Sequence, residues 1–536
     1  MTGWASHLVV APVVAPLLAG AAMVLAGDRR RGLAVGLGFA STLLLLGLSG
    51  ILLVAADGPA VHVYRLGAWP ATFGIVLALD RLSAVMVALV SVLGFSAFVS
   101  SLSRWHRAGA HFHPLLQFQL AGLNGAFLTG DLFNLFVFFE IMLAASYGLA
   151  LHGSGTARVR AGLHYIVVNL LASLLFLVGV SVAYGVAGTV NMADLALRVR
   201  GVAAEDRALL EAGFAVLGVA FVIKAAMWPL GFWLTGTYAA ASAPAAAVMS
   251  MLSKVGIYAV LRLWLLLFGA DAGESAGFGG TWLTVGGLLT VAFGSVAVLA
   301  TQTLARLAGA SVLVSSGTLL AAVGMGRAAV TGGALFYLAG SVLAIGGFFL
   351  LIELIERGRE AGADVLAVTR EAFGTGNEDD AIEERDAVGV PIPGTAALLG
   401  VSFVACALML TGLPPLSGFL AKFAILAPLF APGQAPLPAL AWVLMAALVL
   451  SGLATVVAML RAGTDAFWAS PAAAPPRVDP VEFLPVALLL VLCGALAVGA
   501  GPVMRYMLAA AQELHAPGDY LRDVLASSAA TPGAGP

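Results

Sequence analysis

Residues 130–147 have the sequence GDLFNLFVFFEIMLAASY, which is apolar between Asn134 and Ser146 except for one carboxylate, Glu140. A helix that crosses the hydrocarbon core needs about 20 mainly apolar residues, because every backbone polar group must be satisfied within the segment. This stretch therefore predicts a membrane-spanning helix with Glu140 near its middle. Asp131 lies at the start of the span, where a helix cap is the first interpretation and a proton carrier the alternative.

The composition extends this prediction to the whole chain. Of the 536 residues, 61% are hydrophobic and 10% are charged, and the mean hydropathy is +1.01, which excludes a water-soluble enzyme. A formal net charge of −2 provides no basic field for nucleic acid, so no nucleic-acid partner is expected. Cys406 and Cys493 have no metal-ligand spacing, so no metal or cofactor is predicted. We predict an all-α polytopic membrane protein.

About 14 spanning segments can be counted, and prolines mark three of them. The segments cover approximately residues 7–26, 32–55, 81–102, 114–129, 131–152, 161–186, 210–235, 241–269, 279–300, 305–325, 331–355, 392–430, 437–460 and 482–500. Pro229 lies near the end of the seventh, Pro244 near the start of the eighth, and Pro414 and Pro415 within the twelfth. Proline removes an intrahelical hydrogen bond, so helix breaks are predicted there, as in transporters that shelter ions.

Arginine sets the predicted orientation. If the N-terminus lies outside, 14 arginines fall in cytoplasmic loops and eight in outer loops, so both termini are predicted outside. Segment 56–80 is then an outer β-hairpin. The loop 358–391, with its acidic stretch 377–386, is a solvated cytoplasmic loop, and the tail after His515 is predicted to be disordered.

A short string that occurs twice in the sequence predicts a repeated architecture. Pro229-Leu-Gly-Phe and Pro415-Leu-Ser-Gly-Phe lie five segments apart, as two five-helix repeats of opposite topology would place them. The resulting division has helices 1–3 and the hairpin at 1–113, a first repeat at 114–269, a second, inverted repeat at 270–460, and the last helix with an outward tail at 461–536.

The lysines point to function. Of 26 basic residues only three are lysine, and Lys224, Lys254 and Lys422 all fall within apolar segments. A lysine at the centre of a span costs roughly 2.5–3.5 kcal/mol on insertion scales. Lysine also loses its proton readily on desolvation, whereas arginine does not. Together with Glu140, the lysines are predicted to carry protons, and structural pairing is the alternative for each.

Other polar side chains are weaker candidates for a relay. His164, near the cytoplasmic mouth, is a possible proton relay, although an ordinary interfacial histidine is the commoner case. Ser315, Tyr337 and Ser341 are possible members of a hydrated path between the two halves. Hydroxyl groups also bridge membrane helices without any such role.

Four strings together resemble one family. Residues 130–147, Lys224-Ala-Ala-Met-Trp-Pro229, Lys254-Val-Gly-Ile-Tyr258 and Gly412-Leu-Pro-Pro-Leu-Ser-Gly-Phe-Leu-Ala-Lys422 are similar to the fifth, seventh, eighth and twelfth helices of D subunits of Mrp-type (Mnh/Sha/Pha) multisubunit Na+/H+ antiporters. The broader group includes the antiporter-like subunits of respiratory complex I. The resemblance covers roughly residues 75–470.

This resemblance implies a transporter subunit in a bacterial plasma membrane rather than an enzyme. It implies a Glu140–Lys224 pair in the first half, Lys254 as connecting carrier and Lys422 in the second half. It also implies assembly with other Mrp subunits and exchange of H+ for a monovalent cation, expected to be Na+. The alternative is a proton-pumping subunit of a complex I-like or membrane hydrogenase oxidoreductase.

The chain departs from the family pattern at two positions. Related subunits often have a histidine and a lysine where this chain has Ser341 and Ile345. The path between Lys254 and Lys422 is therefore predicted to depend on water, Tyr337 and serine hydroxyls. A subunit that no longer conducts is compatible with this departure, but the retained buried charges argue against it.

Overall fold

The computed structural model describes residues 3–27, 30–71, 74–109, 111–357, 394–431, 439–467 and 478–529, and these residues are almost entirely helical. In chain order the α-helices are α1 Ala11–Ala26, α2 Arg31–Ala55, α3 Arg81–Ser101, α4 Phe112–Leu128, α5 Leu132–Leu151, α6 Thr156–Ala187, α7 Met192–Val199, α8 Ala204–Lys224, α9 Phe232–Ala240, α10 Ala243–Phe268, α11 Gly280–Ala300, α12 Leu304–Gly324, α13 Ala328–Glu356, α14 Gly394–Thr411, α15 Ser417–Leu426, α16 Ala439–Phe467, α17 Pro480–Val498, α18 Ala500–His515 and α19 Gly518–Ala529. The predicted loop 358–391 and its acidic stretch lie outside the described residues.

Eleven helices of the described chain are long and apolar enough to cross a membrane. The other three predicted segments correspond to the 16-residue α1, the 17-residue α4 and the α8–α9 pair. The chain is thus a polytopic, nearly all-helical membrane protein. The exact count of 14 spans and the inverted repeats stay predictions.

The seventh and twelfth predicted segments are each two helices. α8 ends at Lys224 and α9 begins at Phe232, and Pro229 lies in the gap. α14 ends at Thr411 and α15 begins at Ser417, with Pro414 and Pro415 between them. Each proline thus lies where a helix is interrupted, as its missing N–H requires.

The predicted break at Pro244 is wrong. Pro244 lies in the first turn of α10, which then continues to Phe268. The first-turn N–H groups have no partner within the helix, so proline is tolerated there. Pro244 therefore begins a helix rather than interrupting one.

A small sheet closes one end of the helical bundle, called here the hairpin end. Strand β1 (His62–Arg65) pairs antiparallel with β2 (Val76–Leu79) within the predicted segment 56–80. Asp80 follows β2 and caps α3 through a reciprocal capping box with Ser83. Asp131 caps α5 by accepting a hydrogen bond from the Asn134 N–H at 2.8 Å, which confirms its first interpretation.

The C-terminal tail is ordered against this end, so the predicted disorder after His515 is wrong for residues up to 529. Helix α18 packs on α13 and α3, and α19 packs on α7 and β1. The Asp523 carboxylate accepts a hydrogen bond from the Val61 N–H at 2.9 Å. These contacts give the tail buried partners that hydropathy alone does not reveal.

Candidate functional site

The charged side chains predicted within the spans lie in or beside the broken helices. Lys224 is the last residue of α8 and is 3% exposed, and Lys254 lies in the middle of α10 and is 1% exposed. Lys422 in α15 and Glu140 in α5 are partly buried. The only three lysines of the chain are therefore all withdrawn from water to a large degree.

Gly256 sets how closely α10 approaches the end of α8. A Cβ atom built at Gly256 would lie 2.6 Å from the Ala225 nitrogen, 2.7 Å from the Phe221 oxygen and 3.0 Å from the Lys224 carbonyl carbon. Only glycine fits against this backbone without a shift. The glycine therefore positions Lys254, two residues earlier, beside the helix end that carries Lys224.

Glu140 and Lys224 do not form a direct ion pair in this structure. The Glu140 Oε1 and Lys224 Nζ atoms are both buried without a hydrogen-bond partner in the described chain. Nζ lies 5.3 Å from the centre of the Phe139 ring and interacts with the Glu140 carboxylate through space. Buried polar atoms are almost always hydrogen-bonded in folded proteins, so we expect water at both atoms.

Two further polar groups of the described chain are buried without hydrogen-bond partners, and neither was identified from the sequence. The Tyr147 hydroxyl and the Trp233 indole nitrogen are buried without partners in the described chain. Tyr147 lies seven residues after Glu140, about two helical turns along the same face. Its ring packs edge-on to Tyr165 at 5.3 Å, and Tyr165 lies 5.3 Å from Trp233. The spacing of seven from Glu140 was the available signal.

Lys254 begins a chain of hydroxyl groups. Its Nζ donates to Ser315 Oγ at 2.8 Å and lies 3.4 Å from Ser316 Oγ. Ser315 in turn donates to Ser341 Oγ at 3.1 Å, and the Tyr337 hydroxyl interacts with Ser315 as well. The structure thus brings together all three hydroxyl residues that the sequence suggested for the central path.

A cavity continues from these hydroxyls toward Lys422. Its wall includes Ile345 and also Ala421, the neighbour of Lys422 in the chain. The hydroxyl-bearing lining residues are Ser311, Ser315, Tyr337, Ser341, Ser417 and Thr455. Water in a cavity needs several polar partners, and this wall supplies them.

Lys422 folds back onto the broken helix that precedes it. Its Nζ donates to the Thr411 carbonyl at 2.7 Å, which is an otherwise unsatisfied group at the C-terminus of α14. Gly412, with φ of +77°, lies under the side chain, and a Cβ there would be 2.7 Å from Lys422 Cδ. A cation at a helix C-terminus is stabilised by the helix dipole.

His164 is not brought to this site. It is exposed on α6, and its Nδ1 lies 2.9 Å from the Arg160 carbonyl oxygen. The adjacent Tyr165 points inward instead and contacts Ser146 Oγ at 2.6 Å. The helical phase of α6 separates these two neighbours.

A buried ion pair near the hairpin end was also missed. Arg262, on the same helix as Lys254, forms a bidentate pair with Asp80, with Nη2 to Oδ1 at 2.8 Å, and both side chains are buried. The orientation count assigned 22 of the 23 arginines to loops, and Arg262 was the one left within a span. An arginine within a span was therefore the feature of the sequence from which a buried ion pair could have been predicted.

Within the described residues no three His, Cys, Asp or Glu side chains are grouped as metal ligands. Cys406 and Cys493 are buried free thiols. The site is therefore built from amines, one carboxylate, hydroxyls and cavities, which are groups that hold and transfer protons.

Comparison with known proteins gives consistent matches. Residues 129–453 match the family described as NADH:quinone oxidoreductase/Mrp antiporter, TM. A Rhizobium meliloti protein, named as the D subunit of a probable K(+)/H(+) antiporter, is 57% identical over 98% of this chain and 99% of its own length. The D subunit of an Alkalihalophilus pseudofirmus Na(+)/H(+) antiporter is 33% identical over 97% of this chain and 99% of its own. A chain of the Mrp complex from Dietzia sp. DQ12-45-1b superposes with a TM-score of 0.82 at 26% identity, covering 98% of this chain and all of that one.

Proposed function

The chain belongs to the NADH:quinone oxidoreductase/Mrp antiporter family, and on that premise we propose that it is the proton-translocating D subunit of a multisubunit cation/proton antiporter. The observation that carries this proposal is the withdrawal of every lysine from water, two of them fully buried and Lys422 partly, beside helix breaks, hydroxyls and a carboxylate whose Oε1 has no hydrogen-bond partner in the described chain. Inserting a lysine into a membrane span costs a few kcal/mol. A lysine with a purely structural role could lie outside the spans and avoid this cost.

Glu140 and Lys224 form the first proton-handling unit. In the described chain each has a polar atom without a hydrogen-bond partner. A proton that arrives at or leaves one group therefore changes the electrostatic interaction between the two side chains. A direct pair would hold both groups in their charged forms. The observed separation therefore favours exchange over permanent pairing.

Lys254 connects the first unit to the second. The Lys254–Ser315–Ser341 hydrogen bonds and the hydroxyl-lined cavity support a route through water and hydroxyls. This route replaces the titratable residues that relatives often have at the positions of Ser341 and Ile345. Lys422 ends it in the second half.

The energy for exchange comes from the membrane potential and the proton gradient. One charge crossing 100 mV represents about 2.3 kcal/mol, which is enough to drive ion exchange without a nucleotide. Protons moving inward through this chain would drive cation export through the complex.

The cation is proposed to be a monovalent alkali ion. The sequence resemblance led to an expectation of Na+, and the name of the A. pseudofirmus relative supports it. The name of the R. meliloti relative, at higher identity, supports K+. Direct comparison of the two ions in transport decides between them.

We propose further that the protein works in a hetero-oligomer with other Mrp subunits in the bacterial plasma membrane. Relatives named as subunits and the solved Mrp complex support this assembly. Both termini are proposed to lie outside, and residues 114–269 and 270–460 to be inverted repeats. A reporter fused to the C-terminus, scored for activity on each side of the membrane, tests the orientation.

The proposal is tested in everted membrane vesicles that contain the whole complex. A pH gradient is built, and sodium, potassium, lithium or calcium is added while its collapse is followed. Glu140→Ala, Lys224→Ala and Lys422→Ala should each slow the collapse about 100-fold or more while the complex remains assembled on native gels. Wild-type rates in all three variants would refute the assignment.

Two further variants separate proton transfer from charge. Lys224→Arg keeps the positive charge but cannot release a proton, so it should be as inactive as Lys224→Ala. The matched control is Glu205→Ala, which removes an exposed carboxylate from the same helix and should keep wild-type exchange.

The alternative is a proton-pumping subunit of an electron-transfer complex, a class that the family description also includes. In that case no added cation collapses the gradient, whereas oxidation of an electron donor builds one that requires Lys224. The same vesicles distinguish the two functions.

A further inference from the structure

A second group of charges surrounds a cavity at the hairpin end, and the function proposed above does not use it. The cavity lies where α3, α10, α18 and α19 meet, and its wall includes Asp80, Arg262, Glu513, Asp519 and Tyr520. The Arg262 guanidinium lies 5.4 Å from the centre of the Tyr520 ring. The buried Asp80–Arg262 pair thus faces an open space rather than a packed core.

One face of α10 leads from this cavity to the proposed proton site. Lys254, Tyr258 and Arg262 follow at intervals of four residues, so they lie on one face with about 6 Å of helix rise between neighbours. All three are buried. The Tyr258 hydroxyl donates to the Phe127 carbonyl at 2.6 Å and accepts from Arg262 Nη2 at 3.2 Å.

Glu513 links the cavity to the surface. Its carboxylate pairs with Arg81, and 31% of the Glu513 side chain is exposed. Arg81 also donates to Asp57 at 3.1 Å, and 59% of the Asp57 side chain is exposed. Charged side chains therefore form a series from the fully buried Arg262, through the partly exposed Glu513 carboxylate, to the exposed Asp57 carboxylate.

We propose that Glu513 is the carboxylate through which protons pass between the surface at the hairpin end and the path that contains Lys254. This inference rests on the function proposed above. The Glu513 carboxylate takes up a proton from surface water, and protonated Glu513 then passes it inward to water in the cavity, which restores the carboxylate. Arg262 keeps its proton throughout, so it and Asp80 are positioning residues that hold Tyr258 and the cavity wall.

The surroundings of Glu513 suit this role. Its burial raises the pKa of Glu513 to about 7, Arg81 lowers it, and Asp80 raises it further. The charged and titratable groups around it are Asp80 and Arg81 at the start of α3, Asp57 after α2, Arg262 in α10, Tyr506 in α18, and Asp519 and Tyr520 in α19. A carboxyl group that titrates near neutral pH can both release and accept protons there.

The test measures the pH profile of cation-induced gradient collapse with the whole complex in everted vesicles. In the wild type we expect the rate to fall as pH rises through about 7, because the unprotonated Glu513 carboxylate has no proton to pass inward. Glu513→Gln should be at least about 10-fold slower and should lose this alkaline limb. Glu513→Asp should restore most of the rate and shift the limb.

The matched control is Glu274→Gln. Glu274 is also a carboxylate paired with an arginine, Arg207, and it follows α10 at the same end of the bundle but does not line the cavity. It should keep the wild-type rate and pH profile. Lys224→Ala is measured in parallel, because its loss of exchange tests the proposed function separately.

Three results would overturn the inference. The first is a wild-type rate and alkaline limb in Glu513→Gln while Lys224→Ala is inactive, and the second is an equal loss in Glu274→Gln. If Glu513→Gln does not assemble, Glu513→Asp gives the same test, and an unchanged alkaline limb in that variant is the third. Full exchange in Lys224→Ala would instead overturn the proposed function.

Discussion

Replacing Gly256 by alanine is expected to slow ion exchange by about 10- to 100-fold without removing the protein from its complex. The added methyl group would enter the contact between α10 and the last turn of α8. Its three nearest neighbours are the Ala225 nitrogen, the Phe221 oxygen and the Lys224 carbonyl carbon, and all are backbone atoms. Backbone atoms cannot rotate away as a flexible side chain can.

The size of the effect follows from the distances. The closest approach would be 2.6 Å, whereas ordinary contact begins at 3.4 Å, so the helices must separate by about 0.8 Å. The displaced atoms include the Ala225 N–H and Phe221 carbonyl, which share a hydrogen bond of 2.8 Å at the end of α8. Overpacking of this kind costs about 1–3 kcal/mol, and a misplacement near 1 Å can reduce a rate about 100-fold.

The assay is the initial rate of gradient collapse, with assembly checked on native gels. The control is Gly218→Ala on the facing helix α8, where an added Cβ would meet nothing within 4 Å. Alanine is the better helix former by about 1 kcal/mol, so this control should be fully active. A wild-type rate in Gly256→Ala would show that the spacing between Lys224 and Lys254 does not limit transport.

Three further predictions concern other contacts. Ser315→Ala removes the closest hydrogen-bond acceptor of Lys254, a loss of about 1.5–3 kcal/mol, so exchange should be about 10-fold slower or more, and an unchanged initial rate would contradict the relay. Asp80→Asn leaves the buried Arg262 without a counter-charge and should destabilise the protein by about 3–5 kcal/mol; an unchanged melting temperature of the purified complex would refute this. Glu513 has a folded pKa of about 7 against an ordinary 4.5, so its stabilising contribution is present at acidic pH and is lost as pH rises through about 7. Glu513→Gln should therefore flatten the melting temperature between about pH 5 and pH 8, and an unaltered slope would argue against the shift.

The helices were predictable because hydropathy acts locally. A run of apolar residues must be helical in a bilayer wherever it lies in the chain, and Pro229 and Pro414 interrupt it by a local loss of one N–H. Pro244 was misjudged because the same loss costs nothing in the first turn. That distinction depends on where the helix begins, and a boundary uncertain by two residues is enough to miss it.

The buried lysines were also predictable, because a lysine within an apolar run is visible in the sequence without knowledge of its contacts. Their contacts were not. Ser315 lies 61 residues from Lys254, and Asp80 lies 182 residues from Arg262. Such pairings follow from helix packing and helical phase, which also put His164 outside and Tyr165 inside.

The confinement of lysine to three withdrawn positions has a practical consequence for measurement. The chain has no other side-chain amine, so isotope labelling of lysine alone would yield one resolvable reporter for each of Lys224, Lys254 and Lys422. Their chemical shifts distinguish ammonium from neutral amine, and an ordinary protein would obscure them under dozens of surface signals. If this subunit alone carries the label, the protonation state of each lysine could then be followed in the intact assembly without a mutation.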